Sequence, residues 1–288
     1  MSPTTIPGNL ILRNTYVVPQ LLDYYPGAAA AYSLRNLVGT SNPAVVRVRR
    51  DNDDAEQDFT AAEVSDGTLT AWVGAGNNGF VRTWYDQSGN GRHAAQVTTT
   101  KQPKIVNTGS VVLSGTKASM SFDGSDDVLD LPTLSSNTQL FAFSVISNLI
   151  YLGGVINTRL FDILAGIYSF QALRDSSTND FHMKNSSWQG GTDATRFNAA
   201  PTALSLTSNW FDSSSNSYWL NGSNVSSVAS PGLVGAAGTT GRIGARADLN
   251  ETTFLNGRYA ELLLYQTDQT ANRATIEANI NAYYSIYP

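Results

Sequence analysis

Short apolar stretches that alternate with a period of two, each stopped by turn chemistry, limit what this chain can fold into. Phe80 to Tyr85 reads as a strand, and Asp86 through Gly91 supplies the side-chain oxygens and the two glycines that a sharp reversal needs. Further on, Ala118, Met120 and Phe122 point one way and Ser119, Ser121 and Asp123 the other, the pattern of a half-buried strand. Asp123-Gly124 with the following Ser and Asp predicts a hairpin between Phe122 and Leu129. Leu140 to Ile146 alternates less cleanly and, with Leu149 to Val155, reads as buried sheet. Ser217 to Leu220 runs into Asn221-Gly222, and Asn256-Gly257 precedes Tyr259 to Tyr265, so two Asn-Gly turns are expected at strand ends. Low charge with abundant Gly, Ser, Thr and Asn suits many short strands joined by polar turns rather than long charged helices, so the chain is predicted to be all-β. The clearest helix lies near 270 to 284, opening at Asp268 or Thr270, with Ile276, Ile280, Tyr283, Tyr284 and Tyr287 on one face.

Composition narrows the function classes. Only 14% of the 288 residues are charged and the net charge is −5, so the phosphate neutralisation that nucleic-acid binding rests on is lacking. The one basic cluster, Arg47, Arg49 and Arg50, alternates along a strand and is balanced by Asp51, Asp53, Asp54 and Glu56, which predicts a solvated face. There are no cysteines, so stability must come from a large core and its hydrogen bonds. Met1 to Gln20 lacks the basic start and apolar run of a signal peptide, and no window reaches the length of a membrane span. Residues 1–22, with three prolines and little helical periodicity, are expected to form an extended arm, and residues 23–288 one sandwich domain.

One set of segments carries a resemblance. Ala28-Ala29-Ala30-Ala31-Tyr32-Ser33-Leu34-Arg35, then Val45 to Arg50, then Thr83-Trp84-Tyr85-Asp86-Gln87-Ser88-Gly89-Asn90-Gly91-Arg92-His93, then Gln102 to Val106, stand in that order. Taken together they resemble the catalytic domain of family-54 α-L-arabinofuranosidases and the related concanavalin A-like modules of bacteriophage structural proteins. The resemblance covers residues 24 to 130 and implies a concanavalin A-like jelly-roll β-sandwich. It also implies that the Trp84 to His93 turn is scaffold.

The same resemblance implies a nucleophilic glutamate in the middle of the chain, within a cysteine-containing segment. Residues 155 to 200 hold Asp162, Asp175, Asp180 and Asp193 but neither glutamate nor cysteine. Hydrolysis of a glycosidic bond needs two carboxyl groups flanking the sugar, and that pair is not identifiable. The chain is therefore expected not to be an enzyme. Sugar binding by a sandwich places an aromatic face beside polar side chains, and Trp188, in the polar, glycine-rich stretch Asn185 to Asp193, is the best candidate, with Asp193 and His182 beside it in sequence. Trp84, Trp210 and Trp219 alternate with apolar residues and are expected in the core. His93 is expected to pack or hydrogen-bond locally. Asp123, Asp126 and Asp127 could offer oxygens to Ca²⁺, but aspartates in such a turn more often close Asx-turns, and three carboxylates leave the ion short of ligands. No cofactor is expected otherwise.

From these features the sequence reads as a bacteriophage virion structural protein, a capsid-decoration or fibre-type subunit with weak glycan affinity. On that reading it is assembled in the host cytoplasm, displayed on the virion surface as a homo-oligomer, and docked to other virion proteins through the arm, with neither nucleic acid nor membrane as partner. The alternatives are a free carbohydrate-binding module and an arabinofuranosidase-like hydrolase.

Overall fold

The computed structural model describes residues 18–134, 139–150, 158–165, 168–174, 181–187, 195–197, 203–212, 215–229, 240–247 and 254–288. Its strands form two facing antiparallel sheets. In the first, Glu56–Thr60, Ala44–Arg50, Gly79–Trp84, Ala94–Ala95, Leu129–Leu131, Thr240–Ile243 and Thr158–Ala165 are successive neighbours. Tyr168–Arg174, Phe181–Ser187 and Thr195–Phe197 extend it. The second is centred on Asn256–Tyr265, which pairs along one edge with both Ala30–Ser33 and Met120–Asp123 and along the other with Leu140–Ser147. Ser205–Phe211, Ser215–Leu220 and Ser223–Ala229 follow. Lys104–Asn107 bonds to Gly79–Trp84 on one side and to Met120–Asp123 on the other, joining the sheets at one corner. The all-β jelly-roll reading therefore holds.

Burial explains the imperfect alternation of 140–146. Leu140, Ala142 and Ile146 belong to the core between the sheets, with Val46, Val48, Trp84 and Phe122. Phe141, Phe143 and Val145 point the other way, into a second apolar cluster with Ile276, Ile280 and Tyr284 of the C-terminal helix. A strand covered on both faces has no reason to alternate with polar residues. Trp84 packs against Tyr32 and Tyr259 at centroid separations of 5.5 and 6.0 Å, and Trp210 and Trp219 lie beneath the helix, so all three tryptophans are core residues as expected.

Three local expectations are revised. Asp123 to Asp127 is not a hairpin: Met120–Asp123 pairs in the second sheet and Leu129–Leu131 in the first, so the turn crosses between sheets. Asn221-Gly222 does form a hairpin turn, with φ of +50° and +80°, whereas Asn256-Gly257 begins a strand. There a Cβ would stand 2.7 Å from Leu149 Cδ2 and 3.3 Å from the Ser147 carbonyl, so glycine lets the Leu149 side chain pack against the strand as it does. The helix spans Arg273–Tyr284 with Asn272 as its N-cap; Asp268 instead accepts from the Thr270 amide, closing a turn before the helix begins. Residues 1–17 of the expected arm lie outside the described residues. Leu21 and Leu22 are buried in the cluster under the helix.

Glu261 is wholly buried in the central strand of the second sheet. It accepts from Arg35 Nε at 2.7 Å and Nη2 at 2.9 Å, and from Ser33 Oγ at 2.8 Å; Arg35 Nη1 donates to Asn279 of the helix at 3.0 Å. Removing one partner of a buried pair strands the other charge, at a cost of about 3–5 kcal/mol. Arg35→Met should therefore lower unfolding free energy by about that amount in urea titration, and adding Glu261→Leu should recover most of it. A single variant within about 0.5 kcal/mol of the parent would contradict this role.

Candidate functional site on the open face of the first sheet

The segment Trp84 to His93 is scaffold, as its resemblance implies. Asp86 Oδ1 accepts from the amides of Ala31 at 2.8 Å and Ser88 at 2.9 Å, and Oδ2 from Ser88 Oγ and the Arg92 amide. The Gln87 side chain accepts from Leu37 N and donates to the carbonyls of Ser33 and Arg35. Asn90 donates to the carbonyls of Ala28 and Ala29. The turn thus stitches the 28–37 segment to the first sheet, which is why the two motifs occur together. His93 accepts from the Asp86 amide and packs edge-on against Tyr85, a local role as expected.

The C-terminal helix covers the outer face of the second sheet, while the outer face of the first carries polar side chains. Directly opposed residues in antiparallel strands share a face, so register defines its rows. One row runs from Asp58 through Arg47, Thr83, Ala95 and Asp130 to Arg242 and Asp162. Its charges pair along it: Arg47 with Asp58 at 3.0 Å and with Glu56 at 2.8 Å, and Arg242 with Asp130 at 3.0 Å. At its far end Asp162 is buried beside Arg159 at 3.8 Å and accepts from the Ala247 amide at 3.2 Å, so the chain after Thr240–Ile243 crosses over it.

A second row, two residues along, consists of Arg49, Phe80, Lys104, Ser121 and Arg258. It rounds the corner where the sheets join and lines a groove of about 660 Å³. The basic cluster is thus only in part a solvated face. Arg47 and Arg50 are paired near the surface with Glu56 and Asp53. Arg49 is buried, lies 4.9 Å from the Phe80 ring centre, and donates to Gln102 and Asp54.

The crossing turn forms the acidic wall of the groove. Asp127 is 7% exposed, and its Oδ2 accepts from the Asp123 amide at 2.9 Å. Burial first, and then the neighbouring carboxylates of Asp123 and Asp126, push its carboxyl up to about 8, against the opposing pull of Lys104. Oxygens of Asp123, Asp126 and Asp127 lie within 4.8 Å of one another, so the three aspartates considered for Ca²⁺ do converge. Asp123 Oδ1 is also engaged by the Ser125 amide at 2.8 Å, the expected Asx-turn. The groove therefore offers a carboxyl raised by burial beside two further carboxyl groups, facing the side chains of Lys104 and Arg258.

Of the residues expected to bind carbohydrate, Trp188 and Asp193 lie outside the described residues. His182 stands in Phe181–Ser187, opposite Leu173 on one side and Arg196 on the other. Sequence reasoning did not single out the groove. Its floor combines positions 49, 80, 104, 121 and 258, which only strand register brings together. The one local signal was the Asp-rich turn.

The chain matches no protein-family model and no curated protein. Among solved structures it is similar to an arabinofuranosidase complexed with arabinofuranosyl-α-1,2-xylobiose, with a TM-score of 0.65 and 15% identity over 88% of this chain and 62% of that one. It is similar also to a family-54 α-L-arabinofuranosidase soaked with a cyclic sulfate inhibitor, with a TM-score of 0.64, 14% identity and the same coverages. The chain spans about 62% of the length of these structures. At such identity the likeness establishes the fold: an arabinofuranosidase-like β-sandwich. The expectation of a non-enzymatic protein is corrected here, because the fold shared over 88% of the chain is that of glycoside hydrolases. Neither structure is described as a phage or virion protein, so the phage context has no support from them.

Asp127 gives a test of the groove's electrostatics. An unfolded aspartate titrates near 3.9, so between about pH 4 and pH 8 the folded chain holds a proton that the unfolded chain releases. The stability this contributes is present at acid pH and is lost as pH rises through that window. Asp127→Asn should therefore gain on the parent steadily as pH rises and melt higher than it above pH 8, by scanning calorimetry across pH. A difference independent of pH would place the carboxyl's titration elsewhere.

Proposed function

We propose that the protein is carbohydrate-active: it holds an arabinofuranosyl-bearing glycan on the open face of its first sheet, in and beside the groove, and cleaves it. The likeness over 88% of the chain to arabinofuranosidases, one of them complexed with an arabinofuranosyl xylobiose, carries this reading. The face supports it chemically. Sugar hydroxyls need acceptors and donors at close spacing, and Asp123, Asn107, Gln102, Thr99 and Ser121 line the groove together. Phe80 offers an apolar surface for a ring, flanked by Arg49 and Lys104.

Hydrolysis requires an acid to protonate the leaving oxygen and a second carboxylate nearby. Asp127, raised to about 8, stays protonated at neutral pH and suits the acid; Asp123, its neighbour in the same turn and part of the groove lining, suits the second carboxyl group. Asp162 suits neither, being closed over by the chain at Ala247.

The reading is tested with 4-nitrophenyl α-L-arabinofuranoside and an arabinofuranosyl xylo-oligosaccharide. The parent should release arabinose, and Asp127→Asn should slow release at least about a hundredfold, the contribution of a general acid, while still binding the oligosaccharide. Release that survives in Asp127→Asn would move the chemistry off this pair. A parent that neither binds nor cleaves would overturn the reading.

A further inference from the structure

The groove has a basic wall that hydrolysis does not use. The Lys104 side chain donates to Asn107 Oδ1 at 3.3 Å and lies 5.7 Å from the centre of the Phe80 ring. Arg258 bonds through Nη1 to the carbonyl of Leu113. Neither has a carboxylate within salt-bridge distance among the described residues, although Arg47, Arg50 and Arg242 of the first sheet each have one. Both line the groove, and both sit in one register row on either side of Ser121. The strand of Ser121 separates theirs, so the two backbones stand about 10 Å apart, a gap that two long side chains can close on one planar anion from both sides, with Ser121 beneath.

The rest of the lining limits what that anion can be. Asp51 and Asp123 also face the groove, so a compact dianion such as phosphate would meet repulsion that a single carboxylate spreads over two cations would not. The amide and hydroxyl groups of Asn107, Gln102 and Thr99 beside them suit a ligand carrying hydroxyls on the same ring as its charge. We propose that Lys104 and Arg258 bind the carboxylate of a uronic-acid residue, so that the glycan taken by this groove is an acidic one. This rests on the carbohydrate-active reading and narrows it to a substrate class.

Isothermal titration of the full chain tests it, using an arabinofuranosyl xylo-oligosaccharide with and without one glucuronosyl branch, free glucuronate, and inorganic sulfate at matched ionic strength. The branched ligand should bind at least about tenfold more tightly than its neutral counterpart, as charge-assisted bonds from two cations allow. That advantage should fall to about twofold or less in Lys104→Gln, and Arg258→Lys should keep part of it, since the charge remains while the fork geometry is lost. Equal affinities in the parent, or an undiminished advantage in Lys104→Gln, would overturn the proposal. So would sulfate competing as well as glucuronate, which would mark a general anion site. Failure of the neutral oligosaccharide to bind while glucuronate binds would instead count against the arabinofuranosyl reading and leave the uronate site standing.

Discussion

Glu261 sits among the apolar residues Tyr259 to Tyr265 of a strand that is covered there on both faces, and the satisfaction of its charge organises the second sheet. A carboxylate at that depth survives only if paired and hydrogen-bonded. Arg35 pairs with it through two nitrogens, Ser33 supplies a hydroxyl, and Tyr284 of the helix reaches it at 3.3 Å. The pair therefore fixes the 30–35 segment, the central strand and the C-terminal helix in one arrangement. Because the helix must dock there, the outer face of the second sheet is spent on packing.

The consequence for function lies on the opposite side. The outer face of the first sheet is free to carry polar rows, and the scaffold turn at Asp86 to Asn90 ties that sheet to the same 28–37 segment without using any groove residue. Fold and site are thus supported by different residues. Changes at Glu261 or Asp86 should register as stability, whereas changes at Asp127 or Lys104 should register as binding and pH dependence.

The groove itself arises where two sheets share a strand. Lys104–Asn107 pairs with both, so the surface bends there, and the crossing turn from Asp123 to Asp127 walls one side. The turn brings three carboxylates together because its backbone must change sheets within a few residues. Burial, and then the crowding of carboxylates, raises Asp127, the feature that gives the groove an acid at neutral pH.

What the sequence determined by itself was local: alternation that made strands, the Asn221-Gly222 turn whose positive φ values that dipeptide favours, tryptophans destined for the core, and a scaffold motif whose side chains close their own turn. These are legible because each depends on residues within a few positions of one another. Partner choice was not legible. The same Asp-Gly chemistry serves a hairpin or a crossing between sheets, and only tertiary pairing sent Phe122 and Leu129 to different sheets. The Asp268 side chain caps an amide equally well one turn before a helix as at its start. Likewise the groove floor joins Arg49 to Arg258 across two hundred residues of chain, through hydrogen-bond register that no local pattern encodes. The tertiary structure decided the site because a ligand face is built across strands, while sequence is read along them.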